Sequence, residues 1–282
     1  MTDETCWGIY REAEFSPHRV RDDAEILRAT ARELEARGFP VALKTPKEVA
    51  EAPEDGVPRS VFMMCQDPAL LARIRRWEEG GTVVVNSPAA VLRTHRIPML
   101  EGLMRRGIAF PESRVVETAR PDLDGAYPCW VKRGDFHRTE DADVSYAADR
   151  EAAGRVLSWM AGRGIGRAVL QRHVPGDLIK LYGVAPAAGG RSAAWFTWFY
   201  HREQELKSYR FDEGELARMA AGAADALGLE VFGGDAIAAA DGRLVIIDVN
   251  GWPSFALFRE IAAARIAAHL AARFRREAAG PG

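Results

Sequence analysis

Along the first ninety positions, short apolar runs alternate with longer stretches whose apolar residues return every three or four positions. The runs are Cys6 to Tyr10, Val41 to Lys44, Ser60 to Cys65 and Thr82 to Val85, and each has strand length. Between them, Arg21 to Arg37 carries Leu27, Ala31 and Leu34 at helical spacing and stops at Gly38, and Pro68 to Glu79 opens on a proline. Strands separated by helices predict a doubly wound parallel sheet of the α/β class, ending at Asn86-Ser87-Pro88. A helical stretch follows over Ala89 to Arg106, with Pro98 expected to split it and Gly107 to stop it.

The pattern then changes. Strands are predicted at Pro128 to Lys132, Asp143 to Tyr146, Ala168 to Val174, Leu178 to Val184 and Ala194 to Tyr200, with a helix over Arg150 to Ala161. An alanine-rich helix over Glu213 to Leu227 leads to strands Val231 to Ala238 and Leu244 to Val249, joined at the turn dipeptide Asp241-Gly242. A last helix covers Glu260 to Glu277, and Gly280-Pro281-Gly282 is expected to fray. Strands joined by turns thus replace the strand–helix alternation of the first ninety residues.

Composition narrows the function. The 282 residues are 48% hydrophobic and 28% charged with a net charge of −2, so no global basic field favours nucleic acid. Cys6, Cys65 and Cys129 form no C-x-x-C pair, which speaks against a zinc knuckle or a disulfide framework. The acidic start lacks the features of a signal peptide, and no apolar run is long enough for a bilayer. The expectation is a cytoplasmic protein with no membrane partner.

Chemistry concentrates in VFGGDAIAAADGRLVIIDVNGWPSF. Asp235 and Asp248 sit on two strands joined by a tight turn, at positions that suit facing one another across a hairpin. Asp248 and Asn250 are i and i+2 on one strand, so their side chains share a face. Two carboxylates and an amide oxygen make a hard-oxygen site of the kind Mg²⁺ takes up alongside phosphate and water. Lys132 closes the apolar run PCWV and can reach a phosphate as a point charge. LQRHVPGD, followed by Lys180, is a strand running into a Pro-Gly turn, with backbone groups to offer a planar base and Asp177 to offer ribose hydroxyls. The aromatic strand AWFTWFY is expected to be core.

Taken together, NSPAAVLRTHRIPMLEGLMRRGIAFPES, PCWVK, VLQRHVPGDLIKLYGV, GGDAI and IIDVNGWPSF resemble the ATP-grasp superfamily over about 170 residues, Asn86 to Phe255, in matching order. The likeness is to RimK-type and LysX-type carboxylate–amine ligases. It implies a pre-ATP-grasp α/β domain at 1–88 followed by two α+β subdomains, 89–166 and 167–282, gripping ATP, with one or two Mg²⁺ (or Mn²⁺) on the triphosphate. It places Lys132 and Arg96 at the phosphates, Gln171 and Val174 beside adenine, and Asp235, Asp248 and Asn250 on metal. His137 and Arg138 stand in for a glycine-rich phosphate loop, because GDFHRTED holds only Gly134; residues 134–141 are expected to form a mobile lid over ATP. Arg96 follows His95 where relatives carry lysine after aspartate, and Trp252-Pro253-Ser254-Phe255 replaces a proline-glycine pair. The resemblance implies an ADP-forming ligase working through an acyl phosphate. Its small anionic substrate is expected near His201, Arg202 and Ser254, with Lys207 also in reach and Arg202 in a catalytic role. The same segments are similar to the superfamily's inositol-phosphate kinases, so transfer to a hydroxyl stays open, as does a homodimer.

Overall fold

A computed structural model of the protein describes residues 5–53, 56–136, 140–187 and 192–278. His137, Arg138, the middle of segment 134–141 and the terminal Gly280-Pro281-Gly282 lie outside the described residues. Within them the chain forms three four-stranded sheets.

The first sheet is parallel, in the order β2-β1-β3-β4, and is built from β1 (Cys6–Ile9), β2 (Val41–Lys44), β3 (Ser60–Met63) and β4 (Val83–Val85). The intervening helices are α1 (Val20–Glu35), α2 (Pro46–Glu51) and α3 (Pro68–Glu79). Side chains alternate across the sheet as the strand period requires. Val61, Met63 and Val84 pack on Leu71, Ile74 and Trp77 of α3. Phe62 and Val85 face the other way, toward α1 and the last helix, α8 (Arg259–Ala278). That helix contributes Ile266, Leu270 and Phe274, each of the aliphatic pair worth about 1.5–3 kcal/mol when fully buried. Helix α2 is absent from the sequence expectation, yet its signal is present. Thr45 and Glu48 form a reciprocal capping box, and Pro46 opens the first turn.

The helical stretch after Asn86 breaks earlier than expected, between α4 (Pro88–Arg93) and α5 (Arg96–Arg105). Pro98 lies in the first turn of α5, where an N–H has no intrahelical acceptor, so the proline is accommodated and the break falls at Thr94 and His95.

The second sheet, in the order β5-β8-β6-β7, is antiparallel throughout: β5 (Ser113–Glu117), β6 (Cys129–Arg133), β7 (Val144–Ala147) and β8 (Arg167–Arg172). Helix α6 (Arg150–Gly162) covers one face, with Ala153, Leu157 and Met160 against Val131, Ala147, Ala168 and Leu170. The third sheet, in the order β10-β9-β11-β12, contains β9 (Asp177–Val184), β10 (Trp195–Tyr200), β11 (Val231–Ala238) and β12 (Leu244–Gly251), all antiparallel. Its core face lies on α7 (Glu213–Leu227) through Ile179, Leu181, Phe232, Ile246 and Val249. The β11–β12 hairpin turns at Gly242, whose φ of 81° is the left-handed conformation glycine takes without strain. The open faces of the second and third sheets, together with the segment after β1, line a cleft of about 800 Å³. None of the described helices is long and apolar enough to cross a membrane.

Candidate active site

The centre of the cleft follows from strand register. Phe199, Lys180, Asp235 and Asp248 occupy one row across β10, β9, β11 and β12, so their side chains rise from one face. The next row is Thr197, Tyr182, Gly233 and Asn250. The sequence-predicted trio Asp235, Asp248 and Asn250 therefore shares a surface with Lys180 beside it. Lys180 Nζ lies 2.8 Å from Asp235 Oδ1. Arg96, the first residue of α5, donates from Nη1 to Asp248 Oδ1 at 3.0 Å.

The register slips after Asp235, leaving Ile247 as an extra residue on β12. Such a bulge re-aims the groups around it, and here the Ile247 carbonyl accepts a hydrogen bond from Lys132 Nζ at 3.4 Å. Lys132 reaches across from β6 of the facing sheet and is 5% exposed. Burial first, and then the Arg96 guanidinium, pull its pKa down from the usual lysine range to about 7. Three cationic side chains thus surround two carboxylates. With Lys132 protonated the surplus is positive, which suits a polyanion.

The donor set also fits Mg²⁺. Asp235 and Asp248 face each other directly, Asn250 adds an amide oxygen on the same face, and Mg²⁺ takes one or two carboxylates with phosphate oxygens and water. Arg96 Nε is buried without a hydrogen-bond partner, as an anion-binding guanidinium would be before its ligand arrives. Among the described residues, no three His, Cys, Asp or Glu side chains cluster as a metal cage. The metal would then rest on two acids, the amide and the nucleotide.

The facing sheet supplies a flatter surface. Trp130 pairs in register with Gln171, which is 2% exposed and keeps Nε2 unpartnered. Trp130 Nε1 donates to His173 Nδ1 at 3.1 Å, which fixes the other ring nitrogen of a neutral His173 as a donor. Burial lowers the His173 pKa, in keeping with that neutral form. Val174, Leu178, Ile237 and Ile247 complete an apolar slot.

Asp177 stands apart from these groups. It is fully buried, its two carboxylate oxygens accept from Lys207 N at 2.8 Å and Tyr209 N at 2.9 Å, and it does not line the cleft. The Lys207 ammonium pairs with Glu205 at 2.7 Å, also away from the cleft. His201, Arg202 and Ser254 all line it, but at different ends. His201 N donates to Leu178 O at 3.0 Å, which puts Arg202 beyond the apolar slot. Ser254 bonds the Tyr182 side chain, on the Asn250 side of the carboxylate row.

A third wall is missing from the sequence reading. Arg11, just past β1, donates from Nη2 to the carbonyls of Gly251 (3.2 Å) and Trp252 (2.6 Å) and from Nε to Met64 O (3.2 Å). Its Nη1 pairs with Asp23 at 3.1 Å, and Asp23 also accepts from Ser16 Oγ at 2.6 Å. Trp252 and Phe255 hold φ values of 44° and 48° without being glycine, so this bracing restrains a strained segment directly after Asn250. An arginine isolated just after a strand is the only sequence signal for this, and its partners lie about 240 positions away.

No protein-family model matches the chain, and no curated protein matches its sequence. Solved structures do match. A RimK-domain ATP-grasp protein from Sphaerobacter thermophilus DSM 20745 superposes with a TM-score of 0.65 at 21% identity, covering 97% of this chain and 98% of that one. The ATP-grasp ligase PsnB, bound to a minimal precursor, gives a TM-score of 0.64 at 17% identity over 96% and 100% of the two chains. D-alanine–D-alanine ligase from Bacillus anthracis gives 0.68 at 10% identity over 96% and 97%. The fold is that of the ATP-grasp superfamily, as the sequence motifs implied.

Proposed function

We propose that the protein is an ADP-forming carboxylate–amine ligase using Mg-ATP. In this reading a doubly wound domain at 1–88 precedes ATP-grasp subdomains at 89–166 and 167–282. The observation that carries the proposal is the row Lys180–Asp235–Asp248 completed by Arg96 and Lys132, two acids inside three cations at the floor of a cleft. The solved neighbours support it: PsnB has been captured with AMPPNP and, separately, with Mg and ADP, and another neighbour is named a D-alanine–D-alanine ligase.

The slot of Trp130, Gln171, His173 and Val174 receives the base, and the orphaned Gln171 amide finds its acceptor there. Arg96, Lys132 and Lys180 hold the phosphates. Mg²⁺, held by Asp235, Asp248 and Asn250, would supply charge neutralisation on the phosphate oxygens. A substrate carboxylate oxygen attacks the γ-phosphorus, the bond from phosphorus to the β,γ-bridging oxygen breaks, and ADP leaves. An amine nitrogen then attacks the acyl carbon, losing its proton to solvent, and inorganic phosphate departs. No protein nucleophile is needed; positioning and electrostatics carry the rate.

The test is incubation with Mg-ATP and panels of carboxylic acids, amines and polyol phosphates, scored by mass spectrometry. An amide product with ADP and free phosphate supports the ligase. A phosphorylated hydroxyl with no free phosphate replaces it with a kinase.

A further inference from the structure

Beyond the carboxylate row the cleft changes character. Phe199 begins the row beside Lys180, and Tyr182 lies one row on with its ring centroid 5.4 Å from that of Phe199. Phe258 backs both rings, at 6.3 Å from Tyr182 and 5.8 Å from Phe199, and Phe255 closes on Tyr182 at 4.7 Å. Pro253, Leu257, Phe15 and Pro17 line the same cleft. Leu257 is 45% exposed, a large apolar side chain left open at the mouth.

The polar groups at this end are mostly committed. Arg11 and Asp23 are bound to each other and to neighbouring main chain and side chain. The Tyr182 hydroxyl is hydrogen-bonded to Ser254 and, with burial pushing its pKa up to about 12, stays neutral. Arg19 faces the cleft from an exposed pair with Asp22 at 3.0 Å. Arg202 stands at the other end, beyond Leu178. A polyol bearing several phosphates needs several uncommitted cations here, and a dicarboxylate needs a second one. Among the described residues neither demand is met, whereas apolar surface is plentiful.

We propose that the carboxylic acid taken up beside Asn250 carries a bulky aliphatic or aromatic group, which packs among Phe199, Tyr182, Leu257, Phe15 and Pro17. This rests on the ligase reading for its chemistry, but the binding it describes does not depend on turnover. Apolar pockets separate substrates by roughly 10- to 200-fold per methylene-sized difference, so a preference of that order follows.

The experiment uses the wild-type chain and Leu257→Asp, a change at an exposed site that leaves the core intact. With Mg-ATP and hydroxylamine as the amine, hydroxamate from L-phenylalanine and L-leucine is compared with that from L-glutamate and glycine. The expected result is kcat/KM at least about 10-fold higher for the apolar acids, with Leu257→Asp cancelling that advantage through KM. A preference for glutamate or glycine overturns the inference while leaving the ligase in place. Absence of hydroxamate from every acid tried counts against the ligase reading instead. A calorimetric arm, in which L-phenylalanine and L-leucine are titrated into protein saturated with Mg²⁺ and a non-hydrolysable ATP analogue, then decides the pocket. Binding weakened by Leu257→Asp supports it; no binding, or equal binding to both proteins, overturns it.

Discussion

Asp235 and Asp248 stand directly opposite one another across the β11–β12 hairpin, and each is held by a different cation: Lys180 from the adjoining strand for the first, Arg96 from the start of α5 for the second. Two like charges in a cross-strand pair are unfavourable when left alone. The arrangement persists because helix and sheet deliver one counter-charge to each, and under the proposed function those cations are the groups an incoming triphosphate would engage.

Replacing one carboxylate tests this. Asp248→Asn keeps the shape and removes a charge. Turnover is expected to fall by at least about 10²-fold, with circular dichroism unchanged. Unchanged ADP release would remove Asp248 from the chemistry.

Lys132 ends a strand, where a lysine usually extends to water, but the fold buries it. Lys132→Met removes a cation that burial disfavours and keeps the side-chain length. Its melting temperature is expected to match or exceed that of the wild type, because apolar replacement of buried charge is often neutral or stabilising. Nucleotide affinity is expected to drop about 10- to 100-fold, the worth of a charge-assisted hydrogen bond. Loss of stability with intact affinity would make Lys132 a structural residue.

The depressed Lys132 pKa, about 7, also predicts a pH dependence. A triphosphate favours the ammonium and raises that pKa, so binding is strongest below about 7 and weakens as pH rises through it. At pH 8 to 9 nucleotide binding should take up close to one proton. Calorimetry in buffers of different ionisation heat measures this, and proton release in place of uptake would reverse the assignment.

Arg11→Ala leaves Asp23 buried without its cation and frees the Gly251 and Trp252 carbonyls. A loss of about 3 kcal/mol in unfolding free energy is expected, as for other broken buried pairs. In the molecules that remain folded, KM for the carboxylic acid should rise while ATP affinity holds, because the braced segment follows Asn250. Arg11→Lys keeps a cation for Asp23 and should recover stability better than KM. Parallel recovery of both would argue against a positioning role.

Arg202 lies beyond Leu178, at the end of the slot assigned to the base. Arg202→Ala is expected to raise the KM for ATP and spare that for the carboxylic acid. The opposite pattern would return it to the acid's side of the cleft.

The placement of the central carboxylate row was legible because it depends on local rules. Strand period puts Asp248 and Asn250 on one face, and Asp241-Gly242 folds β11 onto β12. What escaped depends on distant partners. The free-looking Asp177 is consumed by backbone amides about 30 positions on, and the Ile247 bulge changes no residue type. Arg11 has nothing near it in sequence to show that it braces Gly251 and Trp252. Helix α2 was missed for a different reason: its capping box was present but is short and sits between strands.

The packing of α8 against α1 has a consequence for the order of synthesis. Parallel-sheet units at the start of a chain commonly fold as they leave the ribosome. Here α1 covers Phe62 and Val85 only in part, and Ile266, Leu270 and Phe274 of α8 complete the cover. Until residues 259–278 emerge, the nascent chain displays an apolar surface. Emergence of α8 is then the step at which that face of the parallel sheet closes, and a ribosome stalled before α8 would hold out a natural target for chaperones.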